Sequence, residues 1–487
     1  MFSFFKENLW PILLTLNYVL VVLFSVLIVL KNKNPVKTLS FLFVLAILPF
    51  LGILIYYFFG QDYRKYKIFE KKYIFDNETL KKWRKAFRLD QEERSDFKDE
   101  FGEGIFKLYS LLRHNEKAIL TFDNEVDLLI NGEQKFERLK KDLANAEDHI
   151  HMEYFVFLDD EQGIRIIEIL CEKARNGVQV KLIYDDVGSN ITSRSKRLLT
   201  NSGVEHYPFL PVLFSNSTSK INYRNHRKIV IIDGQIGYLG GINIDKKYNN
   251  NFQNNRYWRD THMRIQGAAV GSLQSSFFLS WNFVAKKDIE LNQKYFPKAK
   301  PGINNPIAVQ IIASGPDTDW ENIMEAMFTA INTARKHICI TTPYLIPNSQ
   351  ILTALTTASR SGVDVKIIIP RKSDSWAAQY ATDSYIEQLA RSGIRIFRYT
   401  KGFVHAKTMI IDDVFSSIGT ANLDYRSFSL NFEINALIYN KGINQQMRHF
   451  FEMDMKESEE VDYERWKQRG VTRRLQESFS RLWAPLL

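Results

Sequence analysis

The sequence predicts an α/β protein in which an N-terminal two-helix transmembrane hairpin precedes two homologous α/β sandwich domains. Three observations support this prediction: two long uncharged stretches, one order of strands and helices that occurs twice, and one polar motif that closes each copy. The predicted segments are a hairpin at 1–60, a basic linker at 61–104, and domains at 105–295 and 305–487. We expect the two domains to be related by pseudo-two-fold symmetry.

Two uncharged stretches lie near the start of the chain. Residues 9–30 and 39–59 lack charged side chains, and each is long enough to cross a bilayer as a helix. A helix buried in a soluble protein is the alternative, while the length of the first stretch disfavours a cleaved signal peptide. The short segment KNKNPVK joins the stretches, so their outer ends should lie on one side. Basic residues are more numerous on that side, which predicts a multi-pass membrane protein with cytoplasmic domains.

The charge of the chain is concentrated after the hairpin. Residues 61–88 carry ten Lys or Arg against four Asp or Glu, interleaved with aromatic residues. Such a segment is attracted to anionic lipid headgroups, and a solvated linker helix is the alternative. A net charge of +10 would also suit a nucleic acid. Because much of the excess lies beside the spans, we expect anionic membrane lipids as partners and no nucleic acid.

The two cysteines give no support to a structural scaffold. Cys171 and Cys339 are far apart and have no second Cys or His at ligand spacing. The sequence therefore predicts neither a disulfide framework nor a zinc site. No metal ion or other cofactor is expected.

A strand, a helix and a second strand follow each other twice along the chain. The first copy runs from NAEDHIHMEYFVF to IRIIEILCEKARNGVQVKLIYDDVGS, and the second from NTARKHICITTPYLI to QILTALTTASRSGVDVKIIIPRKSDS. Gly177 and Gly362 stop the helix at the same point of each copy. Residues 295–306 hold three prolines and a glycine and should join the two domains.

Each copy ends in the motif His-x-Lys-x4-Asp, followed after a turn by Asn. The two sets are His226, Lys228, Asp233 and Asn243, and His405, Lys407, Asp412 and Asn422. Residues two apart on a strand share a face, so the His and Lys of each copy should point the same way. The Asp falls on the opposite face before a turn. Asp233 and Asp412, although part of the candidate catalytic motif, are therefore interpreted as turn residues.

The chemistry of the motif explains why it occurs twice. A cation, an amide and an imidazole that converge suit a phosphate group, and the imidazole can act as a nucleophile. Two facing half-sites supply one histidine to attack phosphorus and a second, protonated, to give its proton to the departing alcohol. The pattern therefore predicts phosphodiester exchange through a covalent phosphohistidine.

These residues resemble those of the phospholipase D superfamily, and in particular the bacterial cardiolipin synthases. The resemblance covers nearly the whole chain and includes NHRKIVIIDG, GYLGGIN, WRDTH, SGPD, GFVHAK and GTANLDYRS. It implies a bacterial cell-membrane enzyme with two packed domains, a single active site at their interface and no metal. It also implies transfer of a phosphatidyl group from one phosphatidylglycerol to another, with release of glycerol. A hydrolytic phospholipase D, another phosphatidyltransferase and a non-enzymatic lipid-binding scaffold stay open, as does the oligomeric state.

The resemblance also assigns roles to individual residues. His226 and His405 would be the nucleophile and the acid/base, and the groups that hold phosphate oxygens would be Lys228, Lys407, Asn243, Asn422 and Thr420. An acidic residue would orient each histidine. Glu433 fits that role in the second copy, and Asp260 of WRDTH is the nearest substitute in the first. Gly241 stands where the superfamily pattern has Ser, so the first half-site lacks one hydroxyl donor.

Two apolar segments have open interpretations. The loop at 209–219 could admit acyl chains or pack on the core. Near the C-terminus, Val471, Leu475, Phe479 and Leu482 share one face of a predicted helix. That face could dock on the membrane or pack on its own domain.

Overall fold

The structure is a computed structural model of the chain. It describes residues 2–31, 35–48, 50–56, 82–83, 85, 91–114, 118–211, 223–286, 289, 291, 293–296, 306–316, 318 and 320–484. The chain divides into two compact units, one of residues 1–68 with 212–222 and one of residues 69–211 with 223–487. Most of the predicted basic linker, loop 209–219 and domain join lies outside the described residues, so these predictions are untested.

The described residues of the first unit form three apolar helices, α1 (Phe2–Lys31), α2 (Pro35–Ile47) and α3 (Leu51–Ile55). Within α1, the stretch Leu9–Leu30 is long and apolar enough to cross a membrane, and it is the one such helix in the described part of the chain. Helix α1 packs against α2, and α2 against α3.

The second apolar stretch differs from its prediction as one unbroken helix over 39–59. Helix α2 ends at Ile47, and Phe50 has a φ of 60° before α3 begins. The sequence holds Pro49 here, and a proline lacks the amide hydrogen that a continuing helix needs. The amide of Phe50 donates to Oδ1 of the buried Asn17 at 2.8 Å. A polar residue of the first span thus satisfies the backbone at the break, as an apolar environment requires.

Within the described residues, the second unit has a helix that is kinked at Gly102 before the strands of the first sheet. Its elements up to residue 285 are α4 (Gln91–His114), β1 (Leu120–Thr121), β2 (Asn124–Ile130), α5 (Asn131–Ala144), β3 (His149–Tyr154), α6 (Glu161–Arg175), β4 (Gln179–Asp185), α7 (Ser193–Asn201), β5 (Glu205–Phe209), β6 (Lys228–Ile232), β7 (Ile236–Gly240), β8 (Tyr257–Arg259), β9 (Thr261–Gly267) and α8 (Val270–Ala285). A 3₁₀ turn, Lys246–Tyr248, precedes β8.

The elements of the second half follow in a similar order. They are β10 (Ala308–Ser314), α9 (Asn322–Thr333), β11 (His337–Thr341), β12 (Leu345–Ile346), α10 (Ser349–Arg360), β13 (Asp364–Pro370), α11 (Trp376–Arg391), β14 (Arg395–Tyr399), β15 (Gly402–Val404), β16 (Thr408–Ile411), β17 (Phe415–Gly419), β18 (Leu423–Asp424), α12 (Tyr425–Ser429), β19 (Glu433–Tyr439), α13 (Lys441–Lys456), β20 (Ser458–Glu460), α14 (Tyr463–Lys467) and α15 (Val471–Leu482).

The two large sheets have the same strand order. The first runs β2-β9-β7-β6-β3-β4-β5, and the second runs β1-β10-β19-β17-β16-β11-β13-β14-β20. Without the edge strands β1 and β20, the second sheet repeats the first strand for strand. In both sheets the last three shared strands are parallel, and their other neighbours are antiparallel. The repeated α/β organisation is confirmed, whereas the domain boundaries and the pseudo-two-fold relation stay predictions.

The motif strands lie in the middle of the sheets and are covered on both faces. All five residues of β6 are buried, including the β-branched run from Ile229 to Ile232. Strand β16 occupies the same position in the second sheet. The motif histidines lie two and three residues before these strands, so both are held close to a rigid scaffold.

The aspartate of each motif lies at a turn. Asp233, with a φ of 52°, accepts the backbone amides of Glu147, Asp148 and His149. Asp412, with a φ of 50°, does the same for residues 335–337. Each carboxylate ties the turn after its motif strand to the start of the neighbouring strand. The structure thus gives both residues a scaffold position and does not place them with the catalytic candidates.

We expect Asp412→Ala to destabilise the fold by about 1–3 kcal/mol, because three amide hydrogens lose a charged acceptor. The matched control is Asp413→Ala. Asp413 is half exposed and pairs with an exposed Lys336, so its loss should cost about 1 kcal/mol or less. Thermal unfolding of both variants in detergent checks this, and equal shifts of Tm would contradict the scaffold role of Asp412.

Candidate active site

Two histidine–carboxylate pairs form the centre of the site, and each pair joins the two halves. Nδ1 of His226 lies 2.9 and 3.0 Å from the two carboxylate oxygens of Glu433. Nδ1 of His405 lies 2.8 Å from Oδ2 of Asp260. A carboxylate at Nδ1 fixes the tautomer with hydrogen on that nitrogen and leaves the lone pair on Nε2. Each half therefore orients the histidine of the other half.

Backbone pairing explains this crosswise arrangement. The amide of His226 donates to the carbonyl of Phe432 at 2.9 Å, and the amide of His405 donates to the carbonyl of Arg259 at 2.7 Å. Phe432 immediately precedes Glu433 in the sequence, and Arg259 immediately precedes Asp260. Strand β15 also pairs in parallel with β8. The chain before each motif strand thus runs beside the carboxylate strand of the opposite half.

Asp260 and Glu433 occupy equivalent positions in the two sheets. Gly240 of β7 is paired with His262 of β9, and Gly419 of β17 with Asn435 of β19. The carboxylate lies two residues before the paired position in both cases. Sequence spacing hid this equivalence, because Glu433 follows its Asn by eleven residues and Asp260 by seventeen.

The glycine at position 241 has a steric explanation. A Cβ on Gly241 would lie 2.1 Å from Oδ1 of Asp260. At the equivalent place Thr420 donates its hydroxyl to Oε2 of Glu433. The hydroxyl of Thr420 thus supports the histidine-orienting carboxylate, which differs from its predicted role on phosphate, and Gly241 leaves room for the carboxylate of Asp260.

The two motif lysines lie directly behind the histidines. Nζ of Lys228 donates to the carbonyl of His226 at 2.7 Å, and Nζ of Lys407 donates to the carbonyl of His405 at 2.6 Å. Both side chains are buried. Each ammonium group is thus hydrogen-bonded to the backbone of its own histidine, and its predicted role on phosphate stays a prediction.

The two asparagines line the same cavity as the histidines. Oδ1 of Asn243 accepts the amide of Val156, and Nδ2 donates to the hydroxyl of Tyr248 at 2.7 Å. Oδ1 of Asn422 is buried and has no hydrogen-bond partner among the described residues. Their role on phosphate stays a prediction.

The cavity holds about 360 Å³ and draws its walls from both halves. Phe155 packs edge-on against the ring of His226, with 4.8 Å between centroids. Tyr248 and Trp258 pack against the ring of His405 at 5.6 and 5.8 Å. The polar walls include Arg224, Lys247, Tyr344, Asp374, Asp424, Arg426 and Asn431. Aromatic contacts thus hold both imidazoles beside a polar cavity.

Burial controls the charge of the histidines. It lowers the pKa of His226 to about 4, although Glu433 acts in the opposite direction. It also lowers the pKa of His405 well below the usual value, and Lys407 and Lys228 contribute. Both imidazoles are therefore neutral at neutral pH in the free protein.

The surrounding charges differ between the two pairs. Burial raises the pKa of Asp260 to about 7. Burial also acts to raise the pKa of Glu433, but His226 and Lys228 outweigh it, so this pKa is lowered. Burial lowers the pKa of Lys228 to about 7 and that of Lys407 to about 8. The pKa of the carboxylate beside His226 is thus lowered, while that of the carboxylate beside His405 is raised.

Sequence reasoning missed several wall residues. Arg224 lies two residues before His226, where period-two spacing could have indicated it. Arg426 follows the Asn422 motif by four residues and belongs to the quoted GTANLDYRS. Tyr248 and Trp258 lie in a long connection after Asn243, and no local pattern marks them as neighbours of a histidine from the other half.

The described residues include no group of three or more His, Cys, Asp or Glu that could hold a metal ion. What converges instead is two imidazoles with fixed tautomers, two buried ammonium groups and amide donors. Such a set can bind a phosphate diester, attack phosphorus and transfer protons on either side of it.

Family models match three segments of the chain. The model described as "Cardiolipin synthase, PLD-like domain" matches residues 139–268 and 327–455. The model described as "Phospholipase_D-nuclease N-terminal" matches residues 19–61. The first model covers both histidine motifs and most strands of the two sheets.

Full-length relatives give the same result. A cardiolipin synthase of Geobacillus sp. strain WCH70 is 40% identical over 96% of this chain and 92% of that protein. The major cardiolipin synthase ClsA of Bacillus subtilis strain 168 is 38% identical over 98% and 99%. Among solved structures, phosphatidylserine synthase of Haemophilus influenzae Rd KW20 matches with a TM-score of 0.60. That match has 16% identity and covers 78% of this chain and 99% of the other, so it supports the fold.

Proposed function

Because the chain belongs to the bacterial cardiolipin synthases of the phospholipase D superfamily, we propose that it joins two phosphatidylglycerols through a covalent phosphohistidine. It is a phosphatidyltransferase, and its phospholipase D-like domains carry out cardiolipin synthesis. The observation that carries the proposal is the crosswise arrangement of two histidine–carboxylate pairs beside one cavity. Neither half alone contains an oriented histidine.

In the first step, Nε2 of His226 attacks the phosphorus of one phosphatidylglycerol. The P–N bond forms, the bond from phosphorus to the glycerol headgroup breaks, and the glycerol oxygen takes a proton from His405. Lys228 and Lys407 attract the anionic phosphate. Since both imidazoles are neutral in the free protein, His405 gains its proton when the phosphate binds and stabilises its charged form.

In the second step, the neutral His405 accepts the proton of the terminal hydroxyl of another phosphatidylglycerol. The oxygen of that hydroxyl attacks phosphorus, the P–N bond breaks, and cardiolipin leaves. One phosphodiester replaces another of similar energy, so the reaction requires no nucleotide. Exclusion of water from the covalent intermediate decides between transfer and hydrolysis.

The two carboxylates support His226 as the nucleophile. A phosphohistidine carries a positive ring, and Glu433 is the partner whose pKa is lowered and which stays ionised. Asp260, with a pKa of about 7, gives less stabilisation to a persistent cation. His405 is therefore better suited than His226 to donate a proton in the first step and to accept one in the second.

The lysines should set the alkaline limit of the reaction. His226, with a pKa of about 4, is neutral above about pH 5, whereas Lys228 and Lys407 lose charge as the pH rises through about 7 and 8. Because kcat/KM reports the free enzyme, in which His405 must first take up a proton, it should decrease as the pH rises above about 5 and decrease more steeply above pH 7. Initial rates with phosphatidylglycerol in micelles check this. A flat profile up to pH 10 would contradict it.

The decisive experiment incubates the purified full chain with phosphatidylglycerol in mixed micelles in the presence of a chelator. Mass spectrometry should detect cardiolipin and free glycerol in equal amounts. Phosphatidic acid as the only product would identify a hydrolase instead. A different headgroup in the product of a mixed-lipid incubation would identify another phosphatidyltransferase.

The N-terminal apolar helix and the relatives indicate association with a membrane. We propose a multi-pass anchor with the catalytic unit in the cytoplasm, supported by the excess of Lys and Arg after the second apolar stretch. Cys171 and Cys339 are buried, so Asn34→Cys introduces a single thiol for labelling into the connecting segment. An impermeant maleimide should label it from outside intact cells, and labelling only after lysis would reverse the orientation.

A further inference from the structure

The C-terminal helix α15 packs on its neighbour with its polar side inward. Glu477 and Ser480 are 2% and 3% exposed. Glu477 accepts from Arg469 and Arg473, and Arg473 also donates to Asp383 of α11 at 2.6 Å. Arg469 donates in addition to Glu387 of α11. Ion pairs therefore bind α15 to the catalytic unit.

The apolar side of α15 consequently faces outward. Val471, Leu475, Phe479 and Leu482 are 71%, 65%, 57% and 77% exposed, and their spacing of three to four residues forms one stripe. Trp483 continues the stripe and is 49% exposed. Side chains of this size are normally buried, and an exposed apolar stripe marks an interaction surface.

Helix α15 packs on helix α11, which begins at the active-site cavity. Ser375 and Ala378, at the start of α11, line that cavity. Trp376 lies between them in sequence and is 71% exposed. The guanidinium of Arg481 lies 4.3 Å from the ring of Tyr385, and Arg473 reaches Asp383, so α15 packs on the second half of α11. Helix α11 thus connects the cavity rim to the helix that carries the stripe.

The chemistry of this surface fits a lipid bilayer. Exposed Arg474 and Arg481 flank the stripe, and cations beside large apolar and aromatic side chains are typical of helices that lie in the headgroup region of anionic membranes. A phospholipid substrate also has to pass from a bilayer into the cavity. A rim that touches the bilayer shortens this transfer and keeps the acyl chains out of water.

We propose that the outward face of α15, together with Trp376, inserts into the interfacial region of an anionic bilayer and holds the cavity entrance against it. This contact is additional to the N-terminal anchor. It positions the catalytic unit, whereas the anchor only retains the chain at the membrane.

The first test measures depth in the full chain reconstituted into phosphatidylglycerol vesicles with brominated acyl chains. Bimane on Phe479→Cys should be quenched, and bimane on the exposed polar control Lys336→Cys should not. The two natural cysteines are buried and do not interfere. This readout is independent of catalysis. Equal quenching at both positions, or none at position 479, would overturn the proposal.

The second test compares two forms of substrate. The double variant Leu475→Asn/Phe479→Asn should form cardiolipin on vesicles at least about tenfold more slowly than the natural chain, since interfacial binding scales with buried apolar area. In detergent micelles, which deliver the lipid directly, its rate should stay within about twofold. An equal loss of rate on vesicles and in micelles would contradict the proposal and indicate misfolding or a second copy of the chain bound to the stripe. A dimer that depends on residues 475 and 479 would show that the stripe binds that second copy instead of a bilayer.

Discussion

His226→Ala should abolish the burst of nitrophenol from phosphatidyl-p-nitrophenol, while His405→Ala should retain it. This leaving group departs without a proton at neutral pH, so formation of the phosphohistidine no longer needs the acid. The His405→Ala enzyme should then stall as a covalent adduct, because nothing deprotonates the incoming hydroxyl. Rapid mixing followed by mass spectrometry of the protein measures both the burst and the adduct.

With phosphatidylglycerol itself, both variants should lose turnover. We expect a decrease of about 100,000-fold or more for the nucleophile and about 100- to 10,000-fold for the acid/base. The control is His449→Ala, since His449 is exposed on α13 and should leave both rates unchanged. A burst in His226→Ala but not in His405→Ala would exchange the two roles. A burst in both variants would contradict the assignment of a single nucleophilic histidine.

The second large effect concerns the crosswise carboxylates. Glu433→Gln should slow the burst by about a thousandfold, because an amide neither fixes the tautomer of His226 nor stabilises its cation. Asp260→Asn should leave the burst nearly intact and slow turnover on phosphatidylglycerol, because Asp260 contacts His405. Burst and steady-state rates of the same two variants distinguish these effects.

Pairing within each half predicts the opposite result. In that arrangement Glu433 would orient His405, and Asp260 would orient His226. The Asp260→Asn variant would then lose the burst, and Glu433→Gln would keep it. The two carboxylate variants therefore serve as controls for each other, and Gly241→Ser, which crowds Asp260, should resemble Asp260→Asn.

Much of the fold could be predicted from the sequence. Hydrophobic periodicity and glycine stops indicated two copies of one strand and helix order, and the two sheets share that order. The turn position of Asp412 followed from strand parity and the residue type. These features depend on contacts between residues close in sequence, or on an internal repeat of the amino-acid sequence.

The second apolar stretch was predicted less well. The absence of charged residues indicates how long an apolar span is, but not where its helix is interrupted. Charge-free residues continue through 39–59, but Pro49 interrupts the sequence and the helices on either side are short. The hydrogen bond from Phe50 to Asn17 bridges 33 positions. No scan of hydropathy along the chain detects such a bond.

The sequence by itself determined the chemistry: two histidines, two lysines and their asparagines, each set carried by one repeated unit. Only the tertiary structure decided that Glu433 is hydrogen-bonded to His226 and Asp260 to His405. It also decided that the polar side of α15 faces the catalytic unit. Periodicity specifies which residues share a face, whereas the neighbour that covers the face is chosen by backbone pairing and ion pairs between distant segments. The histidine–carboxylate pairs form only when the two halves fold against each other, and the ion pairs of α15 form only when the second half has folded.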